Sequence, residues 1–233
     1  MAIGGRFVAL NEKGVNEVLQ FFLFHVSLYF ETLMNLHALQ KQLGSLGFPL
    51  FNSQELRRAT GMTRNAIRLW LIRQIKIGIV VPLKKRRGIY CFADHPPHVW
   101  VIANILYRPS YISLETALSY YGILPESIYT ITSVSTKTSR SFKAMGKEFL
   151  FQKIKKEAFC GYQTLSIDNN TVLIADKEKA LADYLYFVHL GKKSLNDRLR
   201  WEKVNIRKVL GYLKKFQRPA LTQWSKHVIS RNH

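Results

Sequence analysis

Residues 52–93 limit the possible folds of this chain more than any other stretch. They contain two helix-like segments joined by a short turn, followed by two strand-like runs with a basic tip between them. Ser53 is the candidate N-cap of the first helix, and Gly61 is placed to end it. Thr63 and Gly78 have the same roles for the second helix. This order of elements is typical of a winged helix-turn-helix domain.

The second helical segment has one apolar face and one basic face. Apolar residues at helical spacing are expected to face the core; they are Ala66, Ile67, Trp70, Leu71 and Ile75. The other face suits a DNA major groove, where arginine pairs with guanine and asparagine with adenine, while basic residues on a wing hold phosphates. The predicted DNA-binding residues are Thr63, Arg64, Asn65, Arg68 and Arg73 on the helix, and Lys84, Lys85, Arg86 and Arg87 at the hairpin tip. A solvated basic face on an ordinary packing helix is the alternative interpretation.

The charge of the chain agrees with a polyanionic partner. Thirty-five lysines and arginines face 15 acids, which gives a formal net charge of +20 and a pI near 10.1. Residues 53–92 hold ten basic residues and one acid, and residues 192–233 hold twelve basic residues and two acids. Double-stranded DNA is therefore the expected partner, and an anionic membrane surface is the weaker alternative.

Residues 15–46 are rich in aromatic and aliphatic side chains, but they do not have the pattern of a membrane span. Gln20, His25 and Glu31 interrupt the apolar run, so it stays below the roughly 18 residues that a span needs. Glu17 lies where a signal peptide carries positive charge. We expect one long helix or two in a cytoplasmic protein. The aromatic surface must be covered by a second domain or by a second copy of the chain.

The cysteines and histidines do not suggest a metal centre. Cys91 and Cys160 are far apart in the sequence and are expected to fill apolar strand positions in a reduced protein. His95 and His98 flank two prolines, and such histidines are more often solvent-exposed than bound to a metal. The same prolines mark the predicted domain boundary, with an N-terminal domain at residues 1–93 and a second domain at residues 99–233.

The second domain mixes helix and strand patterns, which predicts an α+β fold. A short helix near residues 99–108 precedes another that Ser113 caps and Gly122 closes. Strands are expected near residues 128–136, 141–142, 147–153, 161–166 and 171–175, with Asn169-Asn170 as a hairpin turn. Asp176 caps a helix with one apolar face, and a basic segment of two or more helices begins at about residue 192.

Motifs that would indicate an enzyme are missing from the sequence. It contains no [DE]-x-K for a metal-dependent nuclease, and no GxSxG, HExxH, P-loop or GxGxxG. Asp176, Glu178 and Asp183 come nearest to an acidic cluster, but the first two suit the positive end of a helix dipole. We therefore expect no catalytic residues, no metal and no cofactor.

Several blocks of the second domain resemble the AbiEi family of antitoxins, which belong to type IV toxin–antitoxin (abortive infection) systems. The matching blocks are Y-I-S-L-E-x-A-L-x-Y-Y-G at residues 111–122, I-T-x-V-S-T at residues 131–136, the Arg140–Phe142 segment, and A-D-x-E-K-A-L-x-D at residues 175–183. The resemblance extends over roughly residues 52–190.

The resemblance implies a bacterial or archaeal transcriptional regulator. Its winged domain would bind inverted repeats in its own promoter, as a homodimer or cooperatively, and repress the operon. Its second domain would counter a nucleotidyltransferase-like toxin without a stable complex. Candidate residues for the antitoxin role follow Thr136: Lys137, Arg140, Lys143 and Lys147. Two other possibilities are an orphan regulator whose second domain binds a ligand or protein, and an interaction platform whose basic tail grips RNA or an acidic partner.

Overall fold

The structure is a computed structural model that describes residues 36–43, 49–84 and 88–232. Its helices are α1 (residues 36–43), α2 (Ser53–Thr60), α3 (Arg64–Lys76), α4 (Val99–Leu106), α5 (Leu114–Tyr120), α6 (Lys177–His189), α7 (Ile206–Lys214) and α8 (Pro219–Asn232). Its strands are β1 (Val80–Lys84), β2 (Ile89–Phe92), β3 (Ser110–Ile112), β4 (Ile131–Ser135), β5 (Arg140–Ala144), β6 (Lys147–Lys153), β7 (Tyr162–Ile167) and β8 (Asn170–Ala175). Helices combined with a mixed sheet confirm the predicted α+β class.

Asn52, and not Ser53, caps helix α2. The Asn52 side-chain oxygen accepts hydrogen bonds from the backbone N–H groups of Gln54 and Glu55, at 2.8 and 3.0 Å. The Glu55 carboxylate accepts in return from the Asn52 backbone N–H at 2.6 Å, which completes a capping box. The Ser53 prediction is therefore wrong by one residue, because it considered the hydroxyl alone and not the reciprocal bond from Glu55.

The remaining predicted caps of this region are confirmed. Gly61 ends α2 in the left-handed conformation, with a φ of 69° that costs glycine little. The Thr63 hydroxyl accepts from the backbone N–H of Ala66 at 3.3 Å and so caps α3. Gly78 follows the end of α3 with a φ of 79°. The chain then forms the antiparallel hairpin of β1 and β2, and Phe51 pairs with Tyr90 beside it.

The other strands form a six-stranded mixed sheet in the order β5-β6-β4-β3-β8-β7. The β3–β8 and β4–β6 pairs are parallel, and the other neighbours are antiparallel. Strand β3 was not predicted, because its three residues are all buried and are too few to show alternation. The β7–β8 turn is Asp168-Asn169, one residue earlier than predicted, and both residues have positive φ, as in a type I′ hairpin turn.

Helix α6 is the centre of the second half of the chain. It packs against α5, β8, α7 and α8. Residues 178–187 of this helix are all buried. The prediction that only one face of α6 is buried is therefore wrong, because neighbouring elements cover the helix on every side. Asp176 is its N-cap as predicted, with the side-chain oxygen accepting from the Lys179 backbone N–H at 2.7 Å.

Buried apolar residues form one cluster around α1–α3 and a larger one around the six-stranded sheet. The β1–β2 hairpin contributes to both, since Val80 and Phe92 belong to the first cluster and Leu83 and Cys91 to the second. The Cys91 sulfur lies 3.9 Å from the sulfur of Met145, in the β5–β6 turn. The hairpin is therefore anchored on the second half of the chain.

The structure also tests the predictions on the two cysteines and on the apolar N-terminal segment. Cys91 is buried in β2 as expected, whereas Cys160 lies in the loop before β7, so its predicted strand position is wrong. Within the aromatic segment at residues 15–46, the structure describes residues 36–43, which are helical. The rest of the segment lies outside the described residues. No helix in the described part of the chain is long and apolar enough to cross a membrane.

Candidate nucleic-acid interface

Helix α3 buries one stripe and exposes the opposite one. Ile67, Leu71 and Gln74 are buried. Of the other residues predicted to face the core, Ala66, Trp70 and Ile75 are only half-buried. The exposed stripe runs along positions i, i+4, i+7 and i+11, and consists of Asn65, Leu69, Ile72 and Lys76. The sequence reasoning missed Gln74 in the buried stripe, and Leu69, Ile72 and Lys76 in the exposed one.

Arginines line both sides of this exposed stripe. Arg64, Arg68 and Arg73 are exposed, as predicted. Residues 56–93 contain no acid, and none of these arginines has an ion-pair partner in the described ranges. Arg57 and Arg58, in the last turn of α2, are exposed as well. From residue 56 onward, the outward side of α2 and α3 thus carries positive charge and no acid, which favours an anionic partner.

Strands β1 and β2 lie on either side of the predicted basic tip of the hairpin. Lys84 is the last residue of β1 and pairs with Ile89 of β2. The predicted phosphate-contacting residues Lys85, Arg86 and Arg87 lie outside the described residues. At the base of the hairpin, the rings of Phe51 and Phe92 contact each other with centroids 4.9 Å apart and planes tilted by 41°. Strands β1 and β2 are therefore fixed to each other and to Phe51 at the base of the hairpin.

The four residues proposed for an antitoxin role are all exposed but do not form one patch. Arg140 and Lys143 lie on β5 at odd spacing, so their side chains point to opposite faces of the sheet. The Lys137 ammonium group donates to the backbone carbonyl of Arg108. The Lys147 ammonium lies 6.0 Å from the ring centroid of Tyr129, a side chain that is 80% exposed. Only part of this set can contact one partner surface.

Asp176 and Glu178 form a structural group at the start of α6. The Lys208 ammonium lies 3.2 Å from a carboxylate oxygen of each. The Tyr212 hydroxyl donates to Asp176 at 2.5 Å. Burial and this hydrogen bond hold the pKa of Tyr212 well above its usual range, so the phenol stays protonated. Each acid therefore has cationic or hydroxyl partners from α7, which agrees with a structural role.

Asp183 is buried elsewhere on α6, in a polar network with no exposure. Its carboxylate forms an ion pair with Lys179, and both side chains have 0% exposure. It also accepts from the Ser113 hydroxyl at 2.8 Å and the Tyr111 hydroxyl at 3.1 Å. Burial raises the pKa of Asp183, and the Lys179 ammonium opposes that shift. Ser113 precedes α5 as predicted but makes no capping bond, because its hydroxyl is used here.

The described residues hold no obvious metal site. No group of three or more His, Cys, Asp or Glu side chains suited to a metal ion occurs within residues 36–43, 49–84 and 88–232. His98 instead caps α4, since its Nδ1 atom accepts from the Trp100 backbone N–H at 3.3 Å. His95 is highly exposed beside Asp94.

No known protein-family model matches this chain, and a search of curated proteins finds no significant match.

Proposed function

We propose that this protein is a DNA-binding transcriptional repressor that reads DNA through a winged helix-turn-helix formed by α2, α3 and the β1–β2 hairpin. The observation that carries the proposal is the outward face of α3. This face combines exposed arginines with Asn65 and has no acid anywhere on the helix. Such a surface complements the phosphates and the base edges of a major groove.

The dimensions of the elements fit this role. Helix α3 has 13 residues and is about 20 Å long, and a major groove about 12 Å wide admits one helix. Arg64, Asn65 and Arg68 lie in the first half of α3, where a recognition helix usually contacts base edges. Arg73, in the second half of α3, would then lie nearer the sugar-phosphate backbone of the DNA. The tip at residues 84–87 would contact phosphates beside the groove.

The antitoxin role of the second half rests on the resemblance of residues 111–183 to the AbiEi family. In this proposal, two copies bind inverted repeats in the promoter as a homodimer or cooperatively, with half-sites about one helical turn or more apart. The second half counters a nucleotidyltransferase-like toxin without a stable complex, in the bacterial or archaeal cytoplasm. Of the four candidates for that surface, Arg140 and Lys147 lie on the same face of the β5–β6 pair and are tested first; Lys143, on the opposite face, and Lys137, in the preceding loop, are the alternatives.

Repression can be tested with a reporter gene placed behind the DNA directly upstream of this gene. The wild-type protein should repress the reporter. The triple variant Arg64→Ala/Arg68→Ala/Arg73→Ala should lose repression, because it removes the positive charges that flank the groove-facing stripe. The matched control is Lys214→Ala/Lys215→Ala/Arg218→Ala, which removes three exposed charges around the end of α7. Full repression by the α3 variant would contradict the proposal.

The antitoxin role needs a separate experiment. Expression of the neighbouring open reading frame should arrest growth, and co-expression of this protein should restore it. An Arg140→Ala/Lys147→Ala variant should repress normally yet rescue less well, with Lys226→Ala/Arg231→Ala on α8 as the charge-matched control. If no neighbouring gene is toxic, the antitoxin role is wrong while the repressor role stands.

An orphan regulator is the second candidate, and one contact favours it. Because the hairpin packs on the β5–β6 turn through Cys91 and Met145, a ligand or protein bound to the second half could shift the hairpin and change DNA affinity. DNA affinity that changes when a small molecule or protein is added, with no toxin gene nearby, would support this candidate.

A further inference from the structure

Two large aliphatic side chains occupy the middle of the exposed stripe of α3. Leu69 is 57% exposed and Ile72 is 53% exposed. Asn65 and Lys76 lie at the two ends of the same stripe, one helical turn away on either side. Single exposed apolar residues are common on protein surfaces. Leu69 and Ile72, however, lie side by side at the centre of the exposed stripe and do not pack in the core. This pair points to a partner that offers an apolar group.

The charges around Leu69 and Ile72 restrict what that partner can be. Arg68 and Arg73 border the two side chains, and residues 56–93 include no acid. An ordinary protein partner or a second copy of this helix would have to bring its own acids, and a second copy of α3 has none. DNA supplies the anions directly, and its major groove also has one apolar group, the C5-methyl group of thymine.

We propose that Leu69 and Ile72 contact the methyl groups of thymines in the major groove, and so make α3 select DNA with thymines at the centre of each half-site. This inference rests on the proposed DNA-binding function and deepens it. Asn65 and Arg68 would contact bases by hydrogen bonds on one side, and the two aliphatic side chains would select the adjacent base pairs by apolar contact.

The spacing of the two side chains fits adjacent base pairs. Leu69 and Ile72 are three residues apart, which is about 4.5 Å along the helix axis. Successive base pairs are about 3.4 Å apart along the DNA axis. With the helix inclined in the groove, the two side chains reach neighbouring pairs. We therefore expect two adjacent A·T pairs whose thymine methyl groups lie under α3.

Replacing thymine by deoxyuridine removes only the methyl group and keeps the pairing and the hydrogen-bonding edges of the base. Burial of one methyl group is expected to change affinity about fourfold, so the loss of two should weaken binding about fifteenfold. The experiment measures the binding of the full-length protein to DNA from directly upstream of its gene, with thymine or with deoxyuridine throughout. A scrambled duplex, made once with thymine and once with deoxyuridine, measures how much the substitution changes non-specific affinity.

The variant Leu69→Ala/Ile72→Ala completes the test. Both residues are exposed, so the variant should fold, which circular dichroism can verify. It should bind thymine DNA more weakly than the wild type and should bind the two duplexes equally. Ile77→Ala is the matched control, because Ile77 is 59% exposed but lies beyond the end of α3. This control should keep the preference for thymine.

Other results would overturn the inference in different ways. Equal affinity of the wild type for both upstream duplexes, with both preferred over scrambled DNA, would refute the thymine contact while the repressor proposal stands. No preference for upstream DNA over scrambled DNA would refute both. If deoxyuridine has no effect and Leu69→Ala/Ile72→Ala converts a dimer to a monomer in sedimentation experiments, the stripe is an interface between copies and the inference is wrong.

Discussion

The buried pair of Lys179 and Asp183 leads to a quantitative stability prediction. Asp183→Asn removes the one negative charge that pairs, among the described residues, with the fully buried Lys179 ammonium group. Loss of one partner of a buried ion pair costs about 3–5 kcal/mol, because the remaining charge stays buried. The Lys179 ammonium also lies 4.7 Å from the ring centroid of Phe216, and this contact compensates partly. We therefore expect the lower value, about 3 kcal/mol.

That loss is large compared with a total stability of about 5–15 kcal/mol. Urea unfolding followed by circular dichroism should show a midpoint about 1–2 M lower for Asp183→Asn, with a similar slope. The double variant Lys179→Met/Asp183→Asn should be more stable than Asp183→Asn alone. It removes the buried charge and keeps an amide oxygen as acceptor for Tyr111 and Ser113.

The control is Asp168→Asn, the same chemical change at an exposed residue of the β7–β8 turn. This variant should unfold within about 0.5 kcal/mol of the wild type. If Asp183→Asn is also within that range, or if the double variant is the less stable of the two, Lys179 and Asp183 do not form the buried pair described above.

Three further predictions concern the cap of α2, the β1–β2 hairpin and helix α3. Asn52→Ala should lower the free energy of unfolding by about 1 kcal/mol, while Ser53→Ala should have little effect, which urea denaturation can compare. Burial raises the pKa of the Cys91 thiol to about 11. The unfolded chain therefore loses its thiol proton first, and stability should fall as the pH rises from about 9 to 11, less steeply in Cys91→Ala. Identical pH slopes in the two proteins would refute this assignment. Asn65→Ala and Arg68→Ala should reduce the preference for specific over scrambled DNA, whereas substitution of residues 84–87 by alanine should weaken both and flatten the salt dependence.

Local signals in the sequence were sufficient to predict most elements. Gly61 and Gly78 carry the positive φ angles expected at the ends of helices, and Thr63 and Asp176 cap the helices they precede. These features depend on a few neighbouring residues, so they can be read without the rest of the fold. The shift from Ser53 to Asn52 has the same local origin, because two adjacent capping residues compete for one position.

Features that depend on distant neighbours could not be predicted in this way. Strand β3 exists because β4 and β8 pair with it on either side, and its three residues are too few to show the alternation of a strand. Lys179 and Asp183 look like surface residues in the sequence and are buried only because α5, α7 and α8 surround α6. The sequence placed Arg64, Asn65, Arg68 and Arg73 on the outward side of α3 but missed Leu69 and Ile72 there, because aliphatic side chains on a helix are expected to pack inward.

The most direct test of the DNA-binding proposal is fluorescence anisotropy with DNA from directly upstream of the gene, compared with a scrambled duplex at two salt concentrations. The proposal predicts a preference of about a thousandfold or more for the native DNA, in the range of specific regulators. Equal and steeply salt-dependent binding to both duplexes would contradict it, because a protein of formal charge +20 binds any polyanion in that way.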